Sequence, residues 1–298
     1  MTRDSERFAA VGRELTRLTG SACASRPESR VGGGSVSECY RWHCRAGALF
    51  VKLGAATGAA ALAAEAAGLT ELAGTRTVRV PRVLATGLSA GAAFLALEWL
   101  EPGPRTTRSE QLLGEALAAL HAVTAPRHGW SRDNTIGGTP QLNTWAEDWV
   151  EFFRERRLRP QLERALAGGY APLLAAPGAR LIESLPRLLA GHQPAASLLH
   201  GDLWGGNWFA SSGGAPAVFD VAVYYGDAET DLAMTRLFGG FGPAFYRAYE
   251  ALRPSVAGAA QRRELYNLYH VLNHANLFGG GYAAQARAMI EALLAALH

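Results

Sequence analysis

The segment 197–208, followed by Asp220, constrains this chain more than any other part of the sequence. It reads Ser-Leu-Leu-His-Gly-Asp-Leu-Trp-Gly-Gly-Asn-Trp, and a second apolar run, 217–219, ends on Asp220. Phosphoryl transfer from ATP requires such groups, because one carboxylate orients and deprotonates the attacking hydroxyl while an amide oxygen and a second carboxylate hold a metal ion that bridges the phosphates. The alternative is a glycine-rich turn between strands, in which Asp202 and Asn207 are turn formers.

The spacing within this segment favours the catalytic interpretation. Asn207 follows Asp202 by five residues, which is the spacing of the protein-kinase catalytic loop, His-x-Asp-x-x-x-x-Asn. Asp220 then stands where the metal-binding Asp of the kinases stands.

Composition excludes several classes of protein. With 49% hydrophobic and 18% charged residues, the chain is predicted to be globular and soluble, and it is long enough for one large domain or two lobes. The net charge of +3 is small and the basic residues are dispersed, which argues against a nucleic-acid binder. The densest basic run, 154–159, is interpreted as the solvated side of a helix, with attraction of an acidic or phosphorylated ligand as the alternative.

The sequence also predicts the compartment. No apolar run approaches a membrane span, and the N-terminal residues do not resemble a secretory signal. Three cysteines, an odd number, do not make a disulfide framework. A zinc site at Cys39, His43 and Cys44 would lack the second cluster that a tetrahedral site needs. We therefore expect a cytoplasmic protein with no membrane partner.

Lys52 is the only lysine among the 29 lysine and arginine residues. All the other residues of this set are arginine. A single lysine in such a chain suggests a site that needs a compact ammonium group and cannot accommodate the larger guanidinium group of arginine. Because Lys52 lies in the apolar strand pattern 48–53, an unpaired charge there would be expensive. Glu65, in the predicted helix 57–73, suits the helix carboxylate that aims such a lysine at ATP phosphates. The alternative for Lys52 is a position on an exposed strand edge, and the alternative for Glu65 is an ordinary exposed position on the helix.

The N-terminal part of the chain contains a glycine-rich segment and predicted strands. Gly32, Gly33 and Gly34 would let backbone amides approach phosphates, although a linker is the commoner explanation. Strands are predicted at 78–84 and 92–100.

A Pro/Gly break at 98–104 then suggests a hinge between lobes at 1–100 and 101–298. Beyond it, the loop 126–144 is long and polar enough for a role in substrate contact.

Taken together, these residues resemble the fructosamine (ketosamine) kinases, relatives of the aminoglycoside phosphotransferases. The match runs over nearly the whole chain and is most specific in the segments 200–208, 220–227, 229–235, 237–241, 133–137 and 277–282. The aminoglycoside and choline kinases share only the His-Gly-Asp-x-x-x-x-Asn core and the later Asp, so the wording Leu-Trp-Gly-Gly-Asn-Trp indicates the ketosamine branch.

The resemblance implies an α+β, two-lobed protein-kinase-like fold, with a small antiparallel-sheet N-lobe and a mainly helical C-lobe. It implies ATP and Mg²⁺ as cofactors. The implied reaction is phosphorylation of the sugar 3-hydroxyl of a ketosamine, the product of glucose or ribose with an amine. Because the phosphorylated product breaks down and releases the amine, the implied role is deglycation of amines or proteins. The implied substrate is a small-molecule or protein-linked ketosamine, and a monomer is the default for this fold.

The resemblance also implies roles for single residues. Asp202 would be the catalytic base, with Asn207 and Asp220 as the magnesium ligands. Lys52 would contact the phosphates and Glu65 would orient it. The backbone of Glu98, Trp99 and Leu100 would hold adenine, next to the loop of Gly32, Gly33 and Gly34. Trp204 would line the sugar pocket, together with Asp133 and Asn134.

Three positions depart from the family pattern. Val221 stands where members usually have Pro, Ala228 where many have Arg, and Ser35 where many have Cys. None of them removes a group that the chemistry requires, but Ser35 puts thiol-based control through the glycine loop in doubt.

Two other functions stay open at this stage. A kinase of the same fold could act on an aminoglycoside or choline, although the loop 126–144, with Arg127, Arg132 and a single Asp, is less acidic than a polycation pocket. From another class, a pseudokinase would bind the nucleotide without catalysis, although every catalytic position is filled.

Overall fold

The computed structural model of the chain describes residues 3–32 and 37–297. Gly33 and Gly34 of the predicted phosphate loop lie outside the described residues, whereas Gly32 is exposed. The helices are α1 (Arg3–Thr19), α2 (Ala59–Thr75), α3 (Thr107–His121), α4 (Trp149–Phe153), α5 (Arg159–Ala165), α6 (Ala171–Leu188), α7 (Glu229–Leu237), α8 (Pro243–Leu252), α9 (Ala259–Phe278) and α10 (Tyr282–Ala295). A 3-10 turn, Ala56–Gly58, precedes α2, and the π-helical segments Arg154–Leu158 and Leu166–Tyr170 flank α5.

The strands are short outside the N-terminal sheet. They are β1 (Ser29–Val31), β2 (Glu38–Cys44), β3 (Gly47–Ala55), β4 (Val83–Ser89), β5 (Ala92–Glu98), β6 (Pro102–Gly103), β7 (Thr124–Ala125), β8 (Asn134–Ile136), β9 (Thr139–Gln141), β10 (Ala196–Leu199), β11 (Trp208–Ser211), β12 (Pro216–Val218) and β13 (Tyr224–Gly226).

The chain divides into two compact units. The first contains residues up to Ser109 together with Phe209–Asp220, and the second contains Glu110–Trp208 and the chain from Val221 onwards. The predicted division into lobes at 1–100 and 101–298 assigns Phe209–Asp220 to the second lobe. In the structure this segment belongs to the first unit.

The first unit is built on an antiparallel sheet with the strand order β1-β2-β3-β5-β4. Successive side chains of a strand point to opposite faces, so Val51 and Leu53 share one face of β3 and pack in the same core cluster as Val11 and Leu15 of α1. Lys52 therefore points to the other face. The register places it opposite Cys39 of β2.

The predicted strand 78–84 is wrong, because β4 begins at Val83 and ends at Ser89. Pro81 has no N–H to donate to a sheet. The chain before it pairs elsewhere in the first unit, where Arg79 bridges Ala217 and its carbonyl accepts the Val218 N–H at 2.9 Å.

A disulfide joins Cys23 to Cys44 in the first unit, which the odd cysteine count did not lead us to expect. The two residues face each other on an antiparallel bridge, and sequence spacing does not reveal that pairing. Cys39 is the remaining cysteine, and burial raises the pKa of its thiol to about 11.

The second unit is mainly helical. Helix α9 packs against α5, α7 and α10, and α10 packs against α6. Strand β10 is buried throughout and lies between β13 and β7 in a three-stranded antiparallel sheet. The loop 126–144 contains the β8–β9 hairpin. Within residues 3–32 and 37–297, no helix combines the length and the apolar character that crossing a membrane requires.

The basic run 154–159 is not simply solvated, because Arg157 is 0% exposed. Its guanidinium donates to the Leu142 carbonyl at 2.6 Å and to Asn143 Oδ1 at 2.7 Å, and it lies 4.0 Å from the ring centroid of Tyr224. A rigid fork with several donors can reach two acceptors at once, and its buried Nε has no hydrogen-bond partner among the described residues. Arg157 thereby fixes the end of the loop 126–144.

Candidate active site

The first unit brings together three of the predicted site residues, Lys52, Glu65 and Asp220. Lys52 is 7% exposed, and its Nζ donates to Glu65 Oε1 at 2.6 Å and also to Asp220 Oδ1. Strand β3 supplies the lysine, α2 supplies the glutamate, and Asp220 is the last residue of the returning segment. The lone lysine is thus paired with carboxylates, as its place in an apolar strand requires.

The charge of this cluster follows from its geometry. Burial by itself would lower the pKa of Lys52, but the carboxylates of Glu65 and Asp220 more than offset burial and raise the pKa above its ordinary value. Lys52 therefore stays an ammonium at neutral pH. A fixed, buried positive charge of this kind suits the oxygens of a phosphate.

Asp220 has an unusual backbone. Its φ is 56°, in the left-handed region that non-glycine residues rarely adopt. Such a conformation costs about 1–3 kcal/mol and is held only where the surroundings demand it. Asp220 lies just beyond the end of the buried strand β12. Its left-handed backbone conformation directs the carboxylate to Lys52.

The second unit holds the predicted catalytic loop, which leaves β10 at His200. Gly201 has a φ of 84°, and a Cβ at this position would collide with the carbonyl oxygen of Ala222. Only glycine therefore fits between Asp202 and the chain that follows Asp220. The His200 carbonyl accepts the Ala222 N–H at 2.9 Å, so the two segments run side by side.

Asp231 of α7 anchors this loop. Its Oδ2 accepts the His200 N–H at 2.8 Å, and its Oδ1 accepts the Gly201 N–H at 2.9 Å. Burial would raise the pKa of Asp231, but hydrogen bonds from His121 and from the Gly201 N–H outweigh burial and lower it. The carboxylate therefore stays ionised in its 1% exposed position.

A hydrogen-bonded pair of side chains supports Asp231 from behind. His121 Nε2 lies 3.2 Å from Asp231 Oδ2, and His121 Nδ1 lies 2.8 Å from the Tyr249 hydroxyl. Sequence analysis did not identify His121 or Tyr249, because 110 and 128 residues separate the bonded pairs and neither residue stands in a motif.

Asp202 and Asn207 lie together at the end of the loop. Asn207 is 4% exposed, and its Nδ2 donates to the Asp202 carbonyl at 2.8 Å and lies 3.4 Å from Asp202 Oδ2. Donation through Nδ2 fixes which way the amide oxygen points. Amide and carboxylate oxygens are the ligands that Mg²⁺ prefers, so Asn207 and Asp220 fit the predicted metal by their chemistry.

Trp204 remains accessible within the same loop. It is 41% exposed, and its ring covers Gly206 so closely that a Cβ there would collide with it. The outer edge of the indole thus lies against Gly206, and the rest of the exposed ring is accessible to a ligand.

Asp133 and Asn134, the predicted substrate residues of the loop 126–144, form hydrogen bonds to other protein groups. Asp133 Oδ1 accepts the Asn143 N–H at 2.7 Å. Asn134, 8% exposed, donates to the Val223 carbonyl at 2.8 Å and accepts from Gln141 at 2.9 Å. Asp133 therefore braces the loop internally, while Asn134 holds it to the chain after Asp220.

The predicted adenine segment follows β5 in the first unit. The Glu98 N–H donates to the Arg82 carbonyl at 2.9 Å, and the Glu98 side chain accepts from Arg79 at 2.7 Å. Trp99 donates through Nε1 to Glu101 at 2.8 Å. The backbone that follows β5, at Trp99 and Leu100, is the part of this segment that the sequence predicts to meet adenine.

Comparison with known proteins identifies relatives over nearly the whole chain. The model of the fructosamine kinase family matches residues 7–296. A protein of Synechocystis sp. named as a probable ketoamine kinase is 45% identical over 95% of this chain and 96% of its own. The chloroplastic protein-ribulosamine 3-kinase of Arabidopsis thaliana is 39% identical over 94% of this chain and 86% of its own.

A solved structure agrees with the fold. The crystal structure of a candidate fructosamine-3-kinase from Haemophilus somnus superposes with a TM-score of 0.90 at 26% identity, covering 98% of this chain and 99% of that one. The kinase-like α+β fold predicted from the sequence is thereby confirmed.

Proposed function

The chain belongs to the fructosamine kinase family, and we propose that it transfers the γ-phosphoryl group of ATP to the sugar 3-hydroxyl of a ketosamine. The observation that supports this most directly is the cluster of Lys52, Glu65 and Asp220. A buried ammonium held by a helix carboxylate is the phosphate-binding device of kinases, and the family relation supplies the acceptor.

Each unit supplies one set of groups to the reaction. In the first, Lys52 neutralises phosphate oxygens, Glu65 orients it, and the backbone at Glu98, Trp99 and Leu100 receives the adenine. Gly32 begins the glycine segment that the sequence predicts to approach the phosphates. In the second unit, the loop anchored by Asp231 presents Asp202 to the acceptor.

Asp202 is the catalytic base of the proposal. The 3-hydroxyl oxygen attacks the γ-phosphorus, the bond from this phosphorus to the β,γ-bridging oxygen breaks, and ADP leaves with the electron pair. The hydroxyl proton passes late to the Asp202 carboxylate. Because the transition state is loose, positioning and charge neutralisation contribute most of the rate.

Asn207 and Asp220 would hold Mg²⁺, which supplies neutralisation of the phosphate charge when it is bound. Loss of either side chain is therefore expected to reduce turnover more than it reduces affinity for the ketosamine.

The exposed ring of Trp204 is the proposed platform for the sugar, while Asp133 and Asn134 shape the neighbouring loop. The acceptor class is a ketosamine on a small molecule or a protein. A monomer and a cytoplasmic location stay predictions from the sequence. An aminoglycoside or choline kinase and a pseudokinase are not favoured, because the relatives at 39% and 45% identity are named as ketosamine-directed kinases.

The test is magnesium-dependent release of ADP from ATP, with ribulose-lysine and fructose-lysine compared with an aminoglycoside and choline. Asp202→Asn is the catalytic variant, and Asp4→Asn, an exposed aspartate of α1, is the matched control. General-base loss of this kind lowers turnover by about 10²–10⁴-fold.

Turnover on a ketosamine that falls in Asp202→Asn and survives in Asp4→Asn supports the proposal. Turnover on only the aminoglycoside or choline contradicts the acceptor assignment. ATP binding with no turnover on any of the four compounds contradicts catalysis altogether.

A further inference from the structure

Three aromatic residues of the second unit are each followed by a pair of glycines. They are Trp204, Phe238 and Phe278, and the glycines occupy positions 205–206, 239–240 and 279–280. Among the described residues, every exposed phenylalanine, tyrosine or tryptophan is one of these three, at 41%, 40% and 57%. Single exposed apolar residues are ordinary on a protein surface, whereas a cluster of them marks a binding site. The position of the three rings therefore matters.

The turn that follows Phe238 packs against the loop that carries Trp204. A Cβ on Gly205 would lie 2.8 Å from the Gly239 carbonyl oxygen and 2.9 Å from Gly240 Cα. Gly239 and Gly240 have φ values of 71° and 91°, in the left-handed region that glycine adopts without steric cost. The glycine pairs thus bring the two backbones into direct contact, one residue away from each exposed ring.

His274 of α9 joins Phe238 to Phe278. The centroid of its imidazole ring lies 4.6 Å from that of Phe238, 5.4 Å from that of Phe278 and 5.2 Å from that of Tyr282. We call these four residues the aromatic patch. They come from the end of α7, the end of α9 and the start of α10, so tertiary packing assembles one patch from separate segments.

The patch also borders the loop 126–144. Leu277, the exposed neighbour of Phe278, reaches the turn of the β8–β9 hairpin, because a Cβ on Gly137 would lie 3.2 Å from Leu277 Cδ1. The Asn273 side chain lies 3.5 Å from the Ile136 carbonyl oxygen of the same hairpin. The patch is therefore continuous with both segments of the proposed acceptor site, namely the catalytic loop and the loop 126–144.

His274 adds a neutral ring to the patch. Its Nδ1 lies 2.9 Å from the His270 carbonyl oxygen, and burial lowers its pKa while this hydrogen bond partly opposes the effect. The imidazole is therefore uncharged at neutral pH and does not repel a cation. Aromatic faces carry partial negative charge and attract apolar groups and ammonium groups, but not carboxylates.

The chemistry of a ketosamine identifies what would lie on the patch. The reacting hydroxyl is on C3 of the sugar and the amine is on C1, so a sugar held next to Asp202 leaves its amine close by. The Trp204 N–H donates to the Asp202 carbonyl at 3.2 Å, and the Gly205–Gly240 contact leads from Trp204 to Phe238. The secondary amine of a ketosamine is protonated at neutral pH, and an aliphatic carrier continues from it as an apolar stem.

We propose that the aromatic patch binds the amine carrier of the ketosamine while the sugar lies at Trp204. Phe238 and Phe278 receive the protonated amine and the methylene groups that follow it. The patch thereby selects a carrier with an aliphatic stem over a carrier with a carboxylate beside the amine. This inference rests on the proposed function for the identity of the acceptor, and it assigns the part of the acceptor that the catalytic loop does not bind.

The test compares two ketosamines of the same sugar, one formed on the side chain of Nα-acetyl-lysine and one formed on glycine. Two exposed rings that each contact the amine or its stem should give the lysine compound a KM about tenfold lower than that of the glycine compound. The double variant Phe238→Ala with Phe278→Ala should bring this ratio close to one, mainly by raising the KM for the lysine compound.

The controls separate carrier binding from general damage. Leu88→Ala, at an exposed apolar residue of β4, is the matched control and should keep the wild-type ratio. Phe238→Tyr with Phe278→Tyr keeps both rings and should also keep it. Thermal unfolding checks the fold of each variant. A second readout needs no turnover, namely calorimetric affinity for the two ketosamines in the Asp202→Asn background, with and without the double alanine substitution.

The outcomes distinguish this inference from the proposed function. Turnover on both ketosamines with an unchanged KM ratio in the double alanine variant overturns the carrier site and leaves the kinase intact. An equal rise of both KM values assigns the rings to the sugar and also overturns it. A calorimetric preference for the lysine compound that the double variant loses supports the carrier site even where no turnover is seen. A wild-type dimer that the double variant separates, with the ratio unchanged, assigns the patch to self-association instead.

Discussion

Replacing Lys52 by methionine should destabilise the protein in a way that depends on pH. Methionine matches the stem of lysine but leaves Glu65 and Asp220 facing each other in a site where the lysine side chain is 9% exposed. Removing one partner of a buried ion pair costs about 3–5 kcal/mol. We therefore expect the free energy of unfolding to fall by about this amount at pH 8.

The same variant should recover stability as the pH falls. Burial raises the pKa of Glu65, the ammonium of Lys52 counteracts burial, and the nearby Asp220 adds to it. Without Lys52 the folded protein binds a proton at Glu65 more readily than the unfolded chain does, so the variant gains stability with falling pH. The slope is about 1.4 kcal/mol per pH unit for one proton. Wild-type Lys52 stays protonated over this range because its pKa is raised.

The measurement is urea unfolding of both proteins at pH 8 and pH 5.5, followed by tryptophan fluorescence. Lys52→Arg keeps the positive charge, so its stability difference from the wild type should be the same at both pH values. Adding Glu65→Gln to Lys52→Met removes one uncompensated charge and should restore part of the loss at pH 8. Equal destabilisation of Lys52→Met at both pH values would refute the argument that buried carboxylates lose their counter-charge.

Three further changes test other parts of the molecule. Gly201→Ala forces a Cβ against the Ala222 carbonyl at a φ of 84°, so kcat should fall at least about tenfold; an unchanged kcat would show that the loop can relax. Trp204→Ala should raise the KM for a ketosamine about tenfold through lost aromatic contact, and an equal rise in the KM for ATP would contradict a sugar platform. Cys23→Ser should lower the free energy of unfolding by about 3 kcal/mol, because the bond to Cys44 closes a loop with a separation of 21 residues; denaturant unfolding with and without reductant checks this.

Much of the first unit's site could be predicted because its signals are local. The lone lysine in an apolar strand required a carboxylate partner, and Glu65 stood almost alone on an apolar helix. Their bond at 2.6 Å agrees with both inferences. The return of Asp220 to this cluster could be expected only from the spacing of the catalytic segment, since hydrophobic periodicity says nothing about which unit a segment joins.

Other contacts left no trace in the sequence. Arg157 belongs to a basic run that looks solvated, and only tertiary packing shows that its fork closes the loop 126–144. Cys23 and Cys44 are brought together by an antiparallel bridge between two chain segments. The number of cysteines alone gives no information about that pairing. The support of Asp231 by His121 joins residues 110 positions apart, and no spacing rule connects them.

Asp202 and Asp231 show how environment separates two carboxylates that the sequence cannot distinguish by type. Asp231 is 1% exposed, and its oxygens accept from two backbone N–H groups and lie next to His121. A carboxylate committed to this many partners, with a lowered pKa, is a poor proton acceptor but a rigid anchor. Asp202 is only partly buried and lies at the end of the loop that Asp231 fixes. In the proposed reaction, proton transfer would therefore fall to Asp202, while Asp231 fixes the loop that carries it.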